Sequence, residues 1–158
     1  MSNALVPRRR TFSDDKRTFM IVASQFNAEY VQGLVDHASA ELRELAPTAT
    51  VFLQRVPGAF EIPVIVKEVA SQNKADVIIA CGVILKGETD HAENLSRSVT
   101  DALQRIAVDY AVPVINAVLK FKEDKQAQER CLKDKINRGT EAARAAVEIA
   151  NVIAELRK

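Results

Sequence analysis

The sequence predicts one α/β domain in which a four-stranded parallel sheet is covered by helices on both faces. Short apolar runs typical of buried strands alternate with amphipathic segments typical of helices. This β-α-β-α-β-α-β-α order favours parallel strands, because each helix returns the chain to the same edge of the sheet. The 158 residues contain no internal repeat, low-complexity tract or linker, and this length suits one domain.

The first strand and helix follow a polar tail. Residues 1–17 are basic and lack periodicity, so we expect a flexible basic N-terminal arm followed by a folded domain over residues 18–158. Residues 18–24 form an apolar run that predicts a buried strand. Residues 28–45 carry apolar side chains at helical spacing, and Pro47 ends that pattern.

The second strand and helix are joined by a rigid loop. Residues 50–56 predict a strand and residues 61–71 a helix, with Pro63 tolerated in its first turn. The connection, Val56-Pro57-Gly58-Ala59-Phe60-Glu61-Ile62-Pro63, combines a restricted backbone with accessible amides. Open parallel sheets bind small molecules in loops at the carboxyl ends of their strands. We therefore expect a ligand site here, in which Glu61 either contacts the ligand or only complements the helix dipole.

The third strand leads to a second candidate loop. Residues 76–81 predict a strand, residues 82–90 a loop and residues 91–111 a long helix. The run Gly87-Glu88-Thr89-Asp90-His91 combines a glycine, a hydroxyl group and a helix N-terminus, which together suit a small anion. His91 is a candidate proton-transfer group at the rim of the crevice. In the alternative interpretation, Thr89 or Asp90 only caps the helix and His91 is an exposed surface residue.

The last part of the chain predicts a fourth strand over residues 113–119 and two further helices. A short helix is expected around residues 125–132 and a long one over residues 139–156. A guanidinium at Arg130 either makes two parallel hydrogen bonds to a phosphate or is solvated. The periodicity leaves open whether this segment covers its own site or that of a neighbouring subunit.

Composition excludes several classes of protein. The net charge of +1 provides no strong overall attraction to nucleic acid or membrane, although Arg8-Arg9-Arg10 is either a solvated tail or an RNA-binding arm. The two cysteines and two histidines do not have the spacing of metal ligands, so no metal is expected. Nucleotide-binding motifs are absent as well, so no nucleotide cofactor is expected. Cys81 is predicted to be a small core residue. Without an apolar stretch of membrane length or a signal-peptide pattern, we expect a cytoplasmic protein.

The motifs together resemble the lumazine synthase family of riboflavin biosynthesis. The resemblance extends over about residues 18–155, and the order and spacing of its landmarks are specific: Phe26-Asn27 and residues 56–63, 81–91, 112–115, 126–130 and 137–139. It implies a flavodoxin-like three-layer αβα sandwich that assembles as a homopentamer with active sites between subunits. It also implies condensation of 5-amino-6-(D-ribitylamino)uracil with 3,4-dihydroxy-2-butanone 4-phosphate, without a cofactor.

The resemblance also implies a role for each landmark residue. Aromatic and loop residues bind the pyrimidine and its ribityl chain, and basic or small residues bind the phosphate. The pyrimidine and ribityl residues are Phe26 for stacking with Asn27 beside it, Gly58, Ala59, Phe60 and Glu61 for the ribityl pocket, and Val83, Ile84 and Leu85 along the ring edge. The remaining residues are Gly87, Glu88 and Thr89 near the phosphate, His91 for proton transfer, Arg130 of the neighbouring subunit on the phosphate, and Arg138 near the site.

The chain departs from the family pattern at three places. Asn116 replaces an aromatic residue after the fourth strand and is expected to meet the neighbour's pyrimidine with an amide, and Lys120 adds a charge at the rim. Residues 132–136 replace a Gly-rich loop of members that form sixty-subunit shells, so the pentamer is expected and the shell is left open. These departures motivate one alternative, a non-catalytic flavin- or lumazine-binding assembly of the same fold. A generic signalling module of this fold is disfavoured, because the strand ends lack an acidic cluster.

Overall fold

Strands and helices alternate along the part of the chain described by the computed structural model, residues 3–5, 16–87 and 91–158. The strands are β1 (Thr18–Ser24), β2 (Thr50–Val56), β3 (Val77–Leu85) and β4 (Val114–Phe121). The helices are α1 (Ala28–Leu45), α2 (Ile62–Ser71), α3 (His91–Tyr110), α4 (Asp124–Ala127) and α5 (Arg138–Leu156). A 3-10 turn lies at Ala59–Glu61 and a π-helical turn at Gln128–Leu132. Most of the arm, residues 6–15, lies outside the described residues.

The strands form one parallel sheet in the order β2-β1-β3-β4. One core lies between the sheet and helices α1 and α5, and a second core lies between the sheet and helices α2 and α3. The central strand β3 is buried along almost its whole length, as expected for a strand covered on both faces. The predicted three-layer αβα sandwich is therefore confirmed.

The strand order creates a place for a ligand. The chain moves outward from β1 to β2 and then crosses back to β3 on the other side of β1. In open parallel sheets, loops that leave the strands at such a reversal diverge and open a crevice at the carboxyl ends. The loops after β1, β2 and β3 therefore surround a common crevice.

Strand β3 is longer than the sequence pattern predicted. The prediction ended it at Cys81 and began a loop at Gly82, but residues 82–85 pair with residues 118–121 of β4. Val83 and Ile84 are buried in the two opposite cores, so this segment has the alternation of a strand. Gly82 is tolerated inside the strand because the side chains of Ile62 and Val118 pack closely over it.

The short helix predicted around residues 125–132 is divided into two parts. Helix α4 makes a single turn, and the π-helical turn then carries the chain to Leu132. This turn buries Arg130 and Cys131 while Gln128 remains exposed. The wider π-helical turn is a local adjustment often found at functional sites.

Candidate active site

A crevice of about 540 Å³ opens at the carboxyl ends of β1 and β3, beside the 3-10 turn that follows β2. Its walls are mainly apolar with a few polar groups, as is usual for sites that bind small molecules. Residues predicted from the sequence make up most of the lining, namely Phe26, Asn27, Gly58, Ala59, Phe60, Glu61, Val83, Ile84, Leu85, Gly87 and His91. Ser24, Ala92 and Leu95 complete the lining and were not predicted.

Asn27 fixes the loop that presents Phe26. Its backbone is left-handed, with φ of 57°, a conformation that asparagine tolerates better than most residues. Its side-chain Nδ2 donates a hydrogen bond of 2.7 Å to the carbonyl oxygen of Val83 on β3. The backbone N–H of Phe26 donates to the carbonyl of Pro57, which ties the same loop to the end of β2. The Phe26 ring, 72% exposed, is thereby held over the crevice by a fixed backbone.

The loop after β2 contributes an aromatic ring and a carboxylate to the lining of the crevice. The N–H of Glu61 donates to the carbonyl of Gly58 at 3.1 Å, which closes the 3-10 turn. Phe60 is 67% exposed at the crevice. Although Glu61 precedes the first residue of α2, its side chain does not cap that helix. The carboxylate instead lines the crevice close to Gly58, which favours the interpretation of Glu61 as a ligand contact.

His91 begins α3 and lines the same crevice as Phe26 and Phe60. Its neighbour Ala92 is buried against the core, so the first turn of α3 is anchored by packing. Gly87 lines the floor between β3 and this helix. The predicted phosphate-loop residues Glu88 and Thr89, with Asp90, lie outside the described residues.

Two predicted site residues, Arg130 and Arg138, are buried and do not line the crevice. We call this pair the arginine cluster. Their side chains are only 8% and 6% exposed. Arg130 Nη2 donates to Asn3 Oδ1 at 2.9 Å, and Arg138 Nη1 donates to the Ala4 carbonyl at 3.3 Å and to the Glu141 carboxylate. Within the described residues, Arg130 Nε and both Nε and Nη2 of Arg138 have no hydrogen-bond partner. Buried charged donors without partners are costly, and an anion or another acceptor would satisfy them.

The start of α5 shows why the Asn137-Arg138-Gly139 motif has these residue types. Asn137 Oδ1 caps the helix by accepting hydrogen bonds from the N–H groups of Gly139 at 2.8 Å and Thr140 at 3.2 Å. A Cβ atom on Gly139 would lie 2.3 Å from the carbonyl oxygen of Leu34, so only glycine lets α5 approach α1 this closely. The motif therefore fixes the position of Arg138, a connection that the sequence patterns did not reveal.

Asn116 lies outside the crevice as well. It lines a groove of about 300 Å³ along β4 and the first turns of α5, together with Arg138 and Glu141. Strand β4 is at the edge of the sheet, so this groove faces away from β3. The structure thus divides the predicted site residues into the crevice and a second group around α5.

Neither cysteine has the properties of a nucleophile. Burial raises the pKa of Cys81 to about 12, with a smaller effect from nearby Cys131, and burial raises the pKa of Cys131 to about 12. A thiol with so high a pKa is protonated near neutral pH and reacts poorly. In the described ranges, no group of three His, Cys, Asp or Glu side chains is placed to hold a metal ion. Among the helices described, none combines the length and apolar character needed to cross a bilayer.

Comparison with known proteins gives a consistent result. The model of the 6,7-dimethyl-8-ribityllumazine synthase family matches residues 16–154. The protein of that name from Paraburkholderia phymatum is 41% identical over 137 residues, which cover 86% of this chain and 77% of the relative. The protein of that name from Chromobacterium violaceum is 37% identical over 138 residues, which cover 87% of this chain and 86% of the relative. The one from Burkholderia mallei is 41% identical over 133 residues, which cover 84% of this chain and 75% of the relative.

The matched region contains all the described lining of the crevice and both residues of the arginine cluster. The family match and the identity to three relatives over most of both chains agree with the motifs that suggested this family. The chain therefore belongs to the 6,7-dimethyl-8-ribityllumazine synthase family, whose members are transferases of riboflavin biosynthesis.

Proposed function

We propose that the crevice and the arginine cluster are the two halves of an active site that is completed between neighbouring subunits. The family reaction condenses 5-amino-6-(D-ribitylamino)uracil with 3,4-dihydroxy-2-butanone 4-phosphate to give 6,7-dimethyl-8-ribityllumazine, phosphate and water. The observation that carries the proposal is the gathering of Phe26, Glu61 and His91 around one crevice, as this reaction requires.

The crevice matches the chemistry of the ribitylaminouracil. The exposed Phe26 ring offers a flat apolar surface on which a pyrimidine can stack. Glu61 supplies carboxylate oxygens that accept hydrogen bonds from ribityl hydroxyl groups, with Ala59 and Phe60 beside it. Val83, Ile84 and Leu85 then follow the edge of the ring.

The arginine cluster matches the chemistry of the phosphate. Arg130 and Arg138 carry buried guanidinium N–H groups that lack partners in the described part of the chain, and a phosphate accepts such bonds strongly. Both residues lie outside the crevice of their own chain. We therefore assign Arg130 to the phosphate subsite of a neighbouring crevice, with Gly87, Glu88 and Thr89 from the other side, and we place Arg138 near the same subsite.

Sites of this kind require a homo-oligomer, and we propose the homopentamer that the family resemblance implies. Large apolar side chains remain exposed at the crevice side of the molecule, on β2 and α2, and near the C-terminal ends of α3 and α5. A head-to-tail contact that closes into a ring pairs two different surfaces, and we propose that these two sets of exposed apolar side chains contribute to them. We also propose a cytoplasmic location, which is supported by two unpaired cysteine thiols, Cys81 and Cys131.

The chemistry needs few protein groups. The 5-amino group of the pyrimidine condenses with the ketone to form an imine and release water. Phosphate then leaves, the resulting enol rearranges to a ketone, and the ribitylamino nitrogen attacks that carbon to close the ring with loss of water. Holding two reactants in register supplies most of the acceleration. His91 transfers protons in these steps, and Arg130 stabilises the departing phosphate.

The test is the formation of the lumazine, followed by its absorbance against a control without protein. We expect a rate well above the control that falls to it in the double variant His91→Ala/Arg130→Ala. The variant Arg43→Ala removes an arginine from the last turn of α1, outside the lining of the crevice, and should keep the rate. Tight binding of riboflavin without turnover would instead establish the non-catalytic binding assembly.

A further inference from the structure

Two polar residues on β4, Asn116 and Lys120, both bond to α3. Asn116 Nδ2 donates to Thr100 Oγ1 at 3.3 Å, and Lys120 Nζ donates to the Glu93 carboxylate. Asn116 and Lys120 are four positions apart, so they lie on the same face of the strand. Glu93 and Thr100 are seven positions apart, which is two turns on one side of the helix. The two bonds therefore form a polar seam that joins β4 to α3.

The seam lies where apolar packing between α3 and the sheet is least extensive. The middle and end of α3 are anchored in the core by Val99, Leu103 and Ile106. In the first turns, the corresponding residues are the small Ala92 and the half-buried Leu95. The Lys120–Glu93 bond acts on this part of the helix, two residues after His91.

The charges around Glu93 favour the bond. The hydrogen bond from Lys120 and then its positive charge lower the pKa of the Glu93 carboxyl, with smaller contributions from Arg97 on α3 and Lys86 after β3. Burial acts in the opposite direction, and its effect is smaller than either effect of Lys120. Glu93 is therefore ionised at neutral pH and accepts the bond from Lys120.

We propose that Lys120, acting through Glu93, is a positioning residue that holds the first turn of α3 so that His91 faces the crevice. Asn116 supports the same helix two turns further on through Thr100. The inference rests on the proposed function of His91. It also gives the two unusual β4 residues a role other than contact with a ligand, since both side chains are bound within their own subunit.

Asn116 itself is held from two sides. Its Oδ1 accepts a hydrogen bond of 2.9 Å from the N–H of Val118, while its Nδ2 points to Thr100. An amide that uses both of its ends in this way is fixed in orientation. This arrangement differs from the expected contact of Asn116 with the neighbour's pyrimidine, for which the amide would have to leave both partners.

The test compares Lys120→Met, which keeps the chain length but removes the charge and the donor, with Lys120→Arg, which keeps both. For Lys120→Met we expect kcat to fall about 3- to 10-fold, because small displacements of a catalytic group have large effects, with both KM values within about twofold. For Lys120→Arg we expect kcat to stay close to that of the original protein. Glu93→Gln should reproduce the loss, and the double variant Lys120→Met/Glu93→Gln should be no worse than either single change.

The outcomes separate this inference from the proposed function. An unchanged kcat in Lys120→Met, alongside a loss of rate in His91→Ala, would overturn the positioning role and leave the proposed function intact. A raised KM for the phosphate ester at constant kcat would make Lys120 a ligand contact and also overturn it. If His91→Ala has no effect on the rate, the role of His91 fails and this inference fails with it, whereas the proposed function fails only if the original protein forms the lumazine no faster than the control without protein. Circular dichroism of each variant provides a check that the fold is retained.

Discussion

The crevice and the arginine cluster are incomplete in opposite ways. The crevice has shape, aromatic surface and a fixed backbone, but within the described residues its lining contains no lysine or arginine. The arginine cluster has two buried positive charges whose donors lack partners among the described residues, and the described lining of the groove beside Arg138 contains no aromatic ring. A phosphate ester and a pyrimidine need both sets of groups at one place. Under the proposed function, one folded chain therefore carries both sets of groups at separate places on its surface.

Mixing two impaired variants tests most directly whether the crevice and the arginine cluster meet between subunits. We expect Arg130→Ala to lower kcat/KM for the phosphate ester about 10²-fold, and His91→Ala to lower kcat. If the site forms between subunits, random co-assembly of equal amounts leaves both halves intact at about a quarter of the sites. Co-expression of the two variants with different tags, followed by the lumazine assay, measures this fraction. Activity no higher than that of either variant alone would place both residues in one subunit's site.

The second prediction concerns the structure that holds the arginine cluster. Gly139→Ala places a Cβ atom 2.3 Å from the Leu34 carbonyl oxygen, which is backbone and cannot move independently of α1. We expect about 2–3 kcal/mol of destabilisation and loss of the Arg138 position. Gly87→Ala is the matched control, because no atom of the described residues lies within 4 Å of its added Cβ, and its stability should change by less than about 0.5 kcal/mol. Urea denaturation compares them, and equal midpoints would contradict the close contact.

The third prediction concerns the crevice and has a smaller effect. Asn27→Gly keeps access to the left-handed backbone but removes the bond to Val83, whereas Asn27→Ala loses both. We expect destabilisation of about 1 kcal/mol for Asn27→Ala and less for Asn27→Gly. Both should raise KM for the ribitylaminouracil, because Phe26 is no longer held over the crevice. Steady-state kinetics with the second substrate saturating will measure this, and an unchanged KM would show that the Phe26 loop is fixed by its backbone bonds alone.

Most of the fold and of the crevice was predictable because both depend on local patterns. Residues 18–24, 28–45 and 50–56 have periodicities that match one type of element, and their bounds were predicted correctly. The extension of β3 past Gly82 was not predicted, because it depends on pairing with β4, a contact distant in sequence. The positions of Arg130 and Arg138 relative to the crevice depend on how the π-helical turn and α5 pack against α1, which are contacts distant in sequence. The bond between Lys120 and Glu93 likewise joins residues on different elements, which no spacing along the chain reveals.

The smallest expected effect concerns the polar seam. Because the folded-state pKa of Glu93 is lowered, the stabilisation from its pair with Lys120 is fully present above the unfolded-state pKa. It is lost as the pH falls through the lowered folded-state value, where the carboxyl becomes protonated. We therefore expect the melting temperature of Lys120→Met to lie about 1–3 °C below that of the original protein at pH 7, and the difference to vanish in acid.

Thermal melts of the original protein, Lys120→Met and Lys120→Arg between pH 7 and pH 3 measure this convergence. Lys120→Arg should follow the original protein throughout, because it keeps both the charge and a donor for Glu93. A difference that stays constant down to the lowest pH would mean that Lys120 stabilises α3 through its aliphatic chain, independently of the carboxylate. In that case the first turn of α3 is held by packing, and the position of His91 would depend on the core and not on the charged pair.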